Sequence, residues 1–593
     1  MLILTEKPSV AKDFANALGC HFSASEKCYK NSAGSVFIAN CVGHLFELEE
    51  PVHYNLLFKN WKNLPVIPER FEYKISDELK PAANVVIKLL KKFKNDEILI
   101  ATDADREGEI IARECLNAAG ISNLSKIKRF WVSQALTPEV IKDGIKNAKP
   151  LSDYTLLCMQ GFSRQHSDWL VGINGTRFIT NKTGKLFTVG RVQTAILSAI
   201  NERCLKIKDF KSERYFEVYG YFTSKNENPI KALYSDREGK TKFKTPAQSN
   251  LLSLLEGKKA KNADVKTETK RIHAPQLYNL NDLQKDAFNY FEYSAEKTLR
   301  IVQKLYEDYK CVSYPRTPSK VMGSQNVELC KSIYEKMLKN YAEYVELAAV
   351  YSINPNDSHI FNDSKLEAHH ALIPLEKLPY SATQEENNIY TLILERFMLA
   401  FAPDYVFEKQ TAVIDVDGNI FTAEGKKVLD EGWKKYIRFT KTLKNASKDD
   451  ETQSFSLVDW NNLTLASVKE EDKLTKAPKY FNEASILAFM ENPKNEVDDK
   501  KLCGLGTAAT RHTFIPKLLK AKYIQLEGKN LVVTDSGRKL LEMLNNTHLR
   551  KLADISETTR WEEQLSQNPV KFEEEIKEFI KKAVSTGRGG ADE

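Results

Sequence analysis

The chain reads as a multidomain protein that joins an α/β domain to separate helical and β-rich parts, and three observations predict this. Two short apolar runs, Leu2 to Thr5 and Ile98 to Thr102, each lead into a stretch of helical periodicity, the pattern of buried parallel strands feeding helices. Two β-rich stretches, 210–270 and 409–465, flank a helical block from Asn281 to about Phe401. The length of 593 residues is enough for three to five domains at roughly 150 residues each, so large cores can form without disulfides or metal staples.

Taken in order, residues 1 to about 148 form the α/β domain. Glu6-Lys7-Pro8-Ser9 turns the first strand into a helix over Val10 to Leu18, and Ile110 to Ala118 is the helix after the second strand. In open α/β sheets ligands collect at the carboxyl ends of the strands, and both of these strands end in charged residues. From Leu151 to Leu205 the pattern is helical, with a loop around Asn181 to Gly184. The alternation in Tyr215 to Tyr221 marks a strand, and the Lys-rich run Lys258 to Arg271 reads as a solvated linker. Because the two β-rich stretches share a character, they are expected to build one domain around the helical insertion. After Ala477 the chain is mostly helical. A helix over Ile515 to Tyr523, a hairpin at Glu527-Gly528-Lys529-Asn530 and a helix from Thr534 follow one another in winged-helix-like order.

Composition excludes several classes. With 42% hydrophobic and 28% charged residues the chain is neither disordered nor fibrous. The balance of 87 Lys and Arg against 80 Asp and Glu leaves +7, compatible with nucleic-acid binding without arguing for it. The nine cysteines contain no CxxC pair, which argues against a zinc ribbon, and their odd number and scatter predict reduced thiols in the cytoplasm. A four-residue apolar run before Glu6 is too short for a secretory signal, and no apolar stretch approaches 18 residues.

The sharpest local feature is Asp103-Ala104-Asp105-Arg106-Glu107-Gly108-Glu109, directly after the second strand. Carboxylates at i, i+2 and i+4 of extended backbone project to one side, so Asp103, Asp105 and Glu107 are candidate ligands of one Mg²⁺. An acidic loop that caps the next helix is the alternative. If the two strands are neighbours, Glu6 lies beside this cluster. Like charges then raise its pKa, as a general acid at neutral pH requires.

These residues resemble a known family. Glu6-Lys7-Pro8-Ser9 together with DADREGE looks like the toprim domain of type IA DNA topoisomerases, particularly the topoisomerase III subgroup. Further motifs follow in family order. Arg164 to Arg177 resembles "RxxxDWLxGxNxTR", Thr188 to Thr194 resembles "xVGRVQT/S", and Glu367 to Pro374 matches "EAHHAxIP". Gly504 to Arg511 resembles "GxGTPATR", with Ala508 where the family usually has Pro. Val312-Ser313-Tyr314-Pro315-Arg316-Thr317 is similar to the segment around the family's nucleophilic tyrosine, with Pro318 where Asp usually stands.

The resemblance implies a toroidal, ATP-independent enzyme. In it Tyr314 attacks a phosphodiester of one strand to give a 5′-phosphotyrosyl bond, assisted by Glu6, Lys7 and Arg316. Mg²⁺ is held by Asp103, Asp105 and Glu107. Arg164, Asp168, Arg191, Gln193, His369 and Arg511 contact the strand or support the site. It implies a toprim domain (1–148), a helical, winged-helix-like DNA-binding domain (149–209 and 477–593), a β-rich arch (210–270 and 402–476) and a mobile domain bearing the tyrosine (271–401). It also implies a monomer that prefers single-stranded DNA, works in the cytoplasm on nucleoid or plasmid, and cooperates with a helicase or single-strand-binding protein. No zinc-bearing tail is expected after Cys503. Two alternatives stay open: a toprim nuclease or primase that cuts or synthesises without rejoining, and a catalytically silent single-strand clamp.

Overall fold

The computed structural model describes residues 1–224, 229–344, 346, 353–366, 369–437, 458–493, 504–508 and 510–585. Glu367, Ala368, Cys503 and Ala509 of the motifs and cysteines above lie outside the described residues. Strands and helices alternate at the start of the chain. Leu2–Thr5 is the centre of a seven-stranded sheet, flanked in parallel by Phe37–Asn40 and Ile98–Ala101, with Ile127–Arg129 parallel beyond the latter. Both central strands are buried along their whole length, which is why they carry unbroken apolar runs rather than alternation. Lys149–Pro150 closes one edge of this sheet, two residues past the expected boundary.

The long helix Thr155–Thr183 follows and packs on the helix Arg106–Ala118 after the second central strand. Gly161 allows that approach, since a Cβ there would lie 2.3 Å from Ile110 Cγ2. The helix Arg191–Lys208 shares its core with Ile515, Leu518, Leu531, Leu541, Trp561 and Phe572 from the last hundred or so residues of the chain. There the expected helix, hairpin and helix occur as Phe514–Lys520, Ile524–Glu527 paired with Asn530–Val533, and Asp535–Asn545.

The second sheet has six antiparallel strands in the order Asn262–Ile272, Tyr405–Val416, Asn419–Asp430, Ile230–Ser235, Arg214–Thr223 and Thr464–Leu474. The two β-rich stretches therefore do make one sheet. The Lys-rich run is corrected: it is not a linker but an edge strand, paired residue for residue from Asn262 opposite Asp415 to Ile272 opposite Tyr405. Its charges suit an edge exposed on both faces, where lysines discourage further strand pairing. Between the strands Asn262–Ile272 and Tyr405–Val416, the chain builds a helical unit on Leu280–Phe291, Ala295–Glu307, Val327–Asn340 and Gln384–Ala400. Its apolar residues form a core that includes the ring of Tyr314 and takes in Ala135 from the first domain.

Candidate active site

The register of the first sheet decides where the chemistry lies. Thr5 is paired with Ala101, so the two central strands release the chain at the same sheet edge and Glu6 emerges beside Asp103. The backbone N–H of Asp103 donates to Glu6 Oε2 at 3.1 Å. Asp105 is the N-cap of the helix Arg106–Ala118, and its Oδ1 accepts from the Gly108 N–H at 2.8 Å. The turn is braced from below by Arg129, which is fully buried. Its guanidinium donates to the carbonyls of Thr102 (2.8 Å) and Asp103 (2.5 Å) and pairs with Glu109 at 3.1 Å.

This cap corrects the expected geometry of the acidic run. The backbone is not extended from Asp103 to Glu107, because the helix starts at Arg106 and puts Glu107 on its first turn. Glu107 faces Arg164 Nη1 at 2.8 Å and His44 Nε2 at 3.4 Å. Burial alone would raise its pKa, but the His44 hydrogen bond and the Arg164 charge outweigh that and hold the carboxyl at about 2. His44 is correspondingly pushed up to about 10: burial opposes the charge, and Glu107 and Glu114 together overcome it. Among the described residues no three His, Cys, Asp or Glu side chains are grouped as a ready metal site.

The carboxylates that do crowd together are Glu6, Asp103 and Asp105. Burial, followed by the charges of Asp103 and Asp105, pushes Glu6 up to about 8, and burial likewise raises Asp105. Lys7 answers part of this charge, with Nζ 2.9 Å from Asp103 Oδ2 and 2.8 Å from Glu307 Oε1. Hard oxygen donors held in mutual repulsion suit a divalent cation such as Mg²⁺. Asp103 and Asp105 are the candidate ligands for such an ion, while Glu107 is tied to Arg164 and His44.

Tyr314 reaches the same spot from the helical unit. Its segment pairs with the chain around Ile373: Ser313 N–H donates to the Ile373 carbonyl at 3.0 Å, and Ile373 N–H to Ser313 Oγ at 2.9 Å. The Tyr314 hydroxyl donates to Asp105 Oδ2 at 3.0 Å, and Arg316 Nη1 lies 3.9 Å from the same oxygen. With the Gln303 amide turned so that its oxygen faces Arg316, that oxygen accepts from Nε at 3.2 Å and Nη2 at 2.8 Å. Tyr314 is 5% exposed, and burial, then the Asp105 and Asp103 charges, drive its phenol well above 10. In this buried arrangement the phenol stays protonated, and Asp105 is the acceptor aimed at its proton. No Asp follows Thr317, and the loop is tied otherwise: Ser319 N–H donates to Thr317 Oγ1 at 3.1 Å and Asn279 Nδ2 to the Pro318 carbonyl at 3.1 Å.

Of the remaining residues, His369 lies in the site. Its ring lies against that of Tyr314, tilted by 33° with centroids 4.4 Å apart, and burial lowers its pKa to about 4, so it is neutral. Arg164, Asp168, Arg191 and Gln193 line a separate cavity of about 170 Å³ together with Thr507, Thr510, Lys517 and Glu562. Arg191 Nε is 3.1 Å from Asp168 Oδ1, and its Nη1 pairs with Glu562. Arg511 does not line this cavity. Its Nε and Nη2 donate to the carbonyls of Leu505 (3.1 Å) and Gly506 (3.0 Å), so it braces its own loop rather than presenting a charge to a strand. Sequence reasoning missed His44, Trp131, Ser133 and Glu562. Only Trp131 and Ser133 left a usable signal, since they directly follow the strand Ile127–Arg129 at the same sheet edge as Glu6 and Asp103.

Comparison with known proteins agrees with this architecture. A family model for DNA topoisomerases matches residues 152–568, and a toprim-domain model matches residues 1–135. DNA topoisomerase 3 of Bacillus licheniformis is 35% identical, covering 98% of this chain and 81% of that protein. The Bacillus subtilis DNA topoisomerase 3 is 33% identical, with 95% and 78% covered. Full-length topoisomerase I from Thermotoga maritima shares the fold, with a TM-score of 0.71 at 19% identity over 99% of this chain and 90% of that one. The chain belongs to the DNA topoisomerase family, in its type IA branch, on the topoisomerase III side. It is an isomerase that changes DNA topology by strand passage, and its toprim domain is a metal-binding fold.

Proposed function

We propose that the enzyme cuts one DNA strand with Tyr314 and reseals it without ATP, relaxing negative supercoils or separating linked circles. The observation that carries this is the Tyr314 hydroxyl held 3.0 Å from Asp105, with Glu6, Lys7 and Arg316 around it. In the cut, the phenol loses its proton to Asp105, the tyrosine oxygen bonds to phosphorus, and the bond from phosphorus to the 3′ oxygen breaks. Glu6, protonated up to about pH 8, gives its proton to that leaving oxygen and recovers it on resealing. Arg316 and Lys7 stabilise the negative charge that builds on the phosphoryl group. The phosphotyrosyl bond conserves the energy of the broken one, which is why no nucleotide is needed.

Asp103 and Asp105, with Glu107 once released, would hold Mg²⁺, which supplies positive charge to align the two strand ends for rejoining. Full rejoining by an Asp103→Ala and Asp105→Ala double variant in the absence of divalent ions would rule this out. Arg164, Asp168, Arg191 and Gln193 are proposed to grip single-stranded DNA, His369 to support the phosphate, and Arg511 to brace. We retain the division into a toprim unit (1–148), a DNA-gripping unit (149–209 and 477–593), an arch (210–270 and 402–476) and a tyrosine-bearing unit (271–401) that lifts away to admit DNA. The protein is proposed to act as a cytoplasmic monomer, on nucleoid or plasmid DNA, beside a helicase or single-strand-binding protein.

The test uses a single-stranded oligonucleotide labelled at its 3′ end, with Mg²⁺, quenched in detergent. Label on the wild-type protein and none on Tyr314→Phe is the expected result. A Tyr314→Phe enzyme that still relaxes negatively supercoiled circles would overturn the assignment, and cleavage without any protein-bound label would favour a toprim nuclease instead.

A further inference from the structure

Two residues outside the strand-cutting set meet the tyrosine-bearing unit from the toprim side. Both lie on the loop after the strand Ile127–Arg129. The Ser133 carbonyl accepts from the backbone N–H of Tyr314 at 2.9 Å. The Ser133 hydroxyl lies 2.8 Å from His369 Nδ1, while His369 Nε2 is bonded to the Ala104 carbonyl. A carbonyl only accepts, so Nε2 carries the proton of the neutral ring. Nδ1 is thereby left as an acceptor, and the Ser133 hydroxyl is the donor that fills it. Trp131 stacks on the imidazole at 5.6 Å and 13°, and is itself stacked with Tyr154 at 5.0 Å and 23°. The Arg129 guanidinium sits 5.0 Å from the Trp131 ring. The result is a column of rings, Tyr314, His369, Trp131 and Tyr154, that crosses from one unit to the other.

We propose that Trp131 and Ser133 are positioning residues of the strand-cutting site, forming the seat on which Tyr314 and His369 land each time the tyrosine-bearing unit closes. The inference rests on Tyr314 being the nucleophile. The seat sets two things at once. Ser133 ties the nucleophile's backbone and the imidazole tautomer to one residue, so the phenol and the His369 Nε2–H arrive in fixed relation to Asp105. Trp131 supplies a flat face that selects one ring angle for His369. Neither group touches the reacting atoms, so their loss is felt in how often closure gives the competent geometry, not in how tightly DNA is held.

The experiment compares Ser133→Ala, Ser133→Thr, Trp131→Ala and Trp131→Phe with wild type in single-turnover adduct formation on the 3′-labelled oligonucleotide. Rates are taken over a range of oligonucleotide concentrations and thermal melts are run in parallel. Ser133→Ala should lower the plateau rate roughly three- to tenfold, the range one neutral hydrogen bond spans. Half-saturation and melting should not change. Ser133→Thr, which keeps the hydroxyl, should recover most of the rate, and Trp131→Phe should exceed Trp131→Ala. Unchanged plateau rates in both alanine variants, or a threonine variant as slow as alanine, would overturn the inference. A Tyr314→Phe control run alongside separates the two readings: if it still forms adduct, the nucleophile assignment fails, and if it does not while both alanine variants cleave normally, only the seat fails.

Discussion

At the scale of the residue, the site is organised by unequal treatment of similar groups. Glu6 and Glu107 are both carboxylates at strand ends or helix starts, yet one is held near pH 8 and the other near 2. The difference is the company each keeps: Glu6 is buried beside two like charges, and Glu107 faces His44 and Arg164. A Glu6→Gln variant, which cannot exchange a proton with the 3′ oxygen, should lose about 100-fold or more in adduct formation while still binding oligonucleotide, as gel shift would show. Histidine offers a second contrast. His512 is half-buried, with an Nδ1 that finds no hydrogen-bond partner among the described residues, and burial lowers its pKa to about 4. Its folded pKa lies below the ordinary 6.5, so the unfolded chain takes up the proton first. The stability it contributes is therefore complete above about pH 6.5 and declines as pH falls toward 4. Thermal melts of His512→Gln should show a shallower loss of Tm than wild type across that window.

At the scale of the element, the decisive piece is the turn from the strand Ile98–Ala101 into the helix Arg106–Ala118. Gly108 is required there for space rather than for an unusual dihedral. A Cβ on Gly108 would lie 2.1 Å from the Asp103 carbonyl oxygen and 2.9 Å from its carbonyl carbon and nitrogen. Backbone cannot yield as a side chain can, so Gly108→Ala should shift the carboxylate loop and cost about 1–3 kcal/mol of stability. Chemical denaturation would measure the loss, and adduct formation should fall with it. The edge strand Asn262–Ile272 shows the opposite case, where composition misled. A Lys-rich run reads as linker because its lysines cannot be buried, but a strand exposed on both faces never asks them to be.

At the scale of the whole molecule, the tyrosine-bearing unit meets the toprim sheet through several polar contacts. Besides the Tyr314 and His369 contacts, Lys310 pairs with Asp13 and Lys7 with Glu307. On the far side Glu491 accepts from Asn281 at 2.8 Å and Lys285 at 3.1 Å. Partly exposed ion pairs contribute about 0–1 kcal/mol each and weaken with salt, which suits the joint proposed above to open and admit DNA. An Asp13→Asn variant should open more readily, shifting the open population up to about fivefold. Fluorophores on residues 13-proximal and 310-proximal surfaces would report this as reduced energy transfer at low salt, with the difference from wild type vanishing as salt rises. Unchanged transfer at low salt would show that the pair does not hold the joint.

Much of this protein was legible in order along the chain. Apolar runs ending in charge located the two central strands, and the motif around Tyr314 marked one of 24 tyrosines. Local pattern succeeds there because burial and turn chemistry act between near neighbours in sequence. What only the tertiary structure decided is which groups meet. It tied Glu107 to Arg164 and His44, because a helix cap, not an extended strand, follows Asp103. It turned Arg511 inward, and it brought Ser133 under Tyr314 across 181 residues of chain and the boundary between two units. Such contacts depend on sheet register and on how the units pack together, which arise from cores assembled far from these residues.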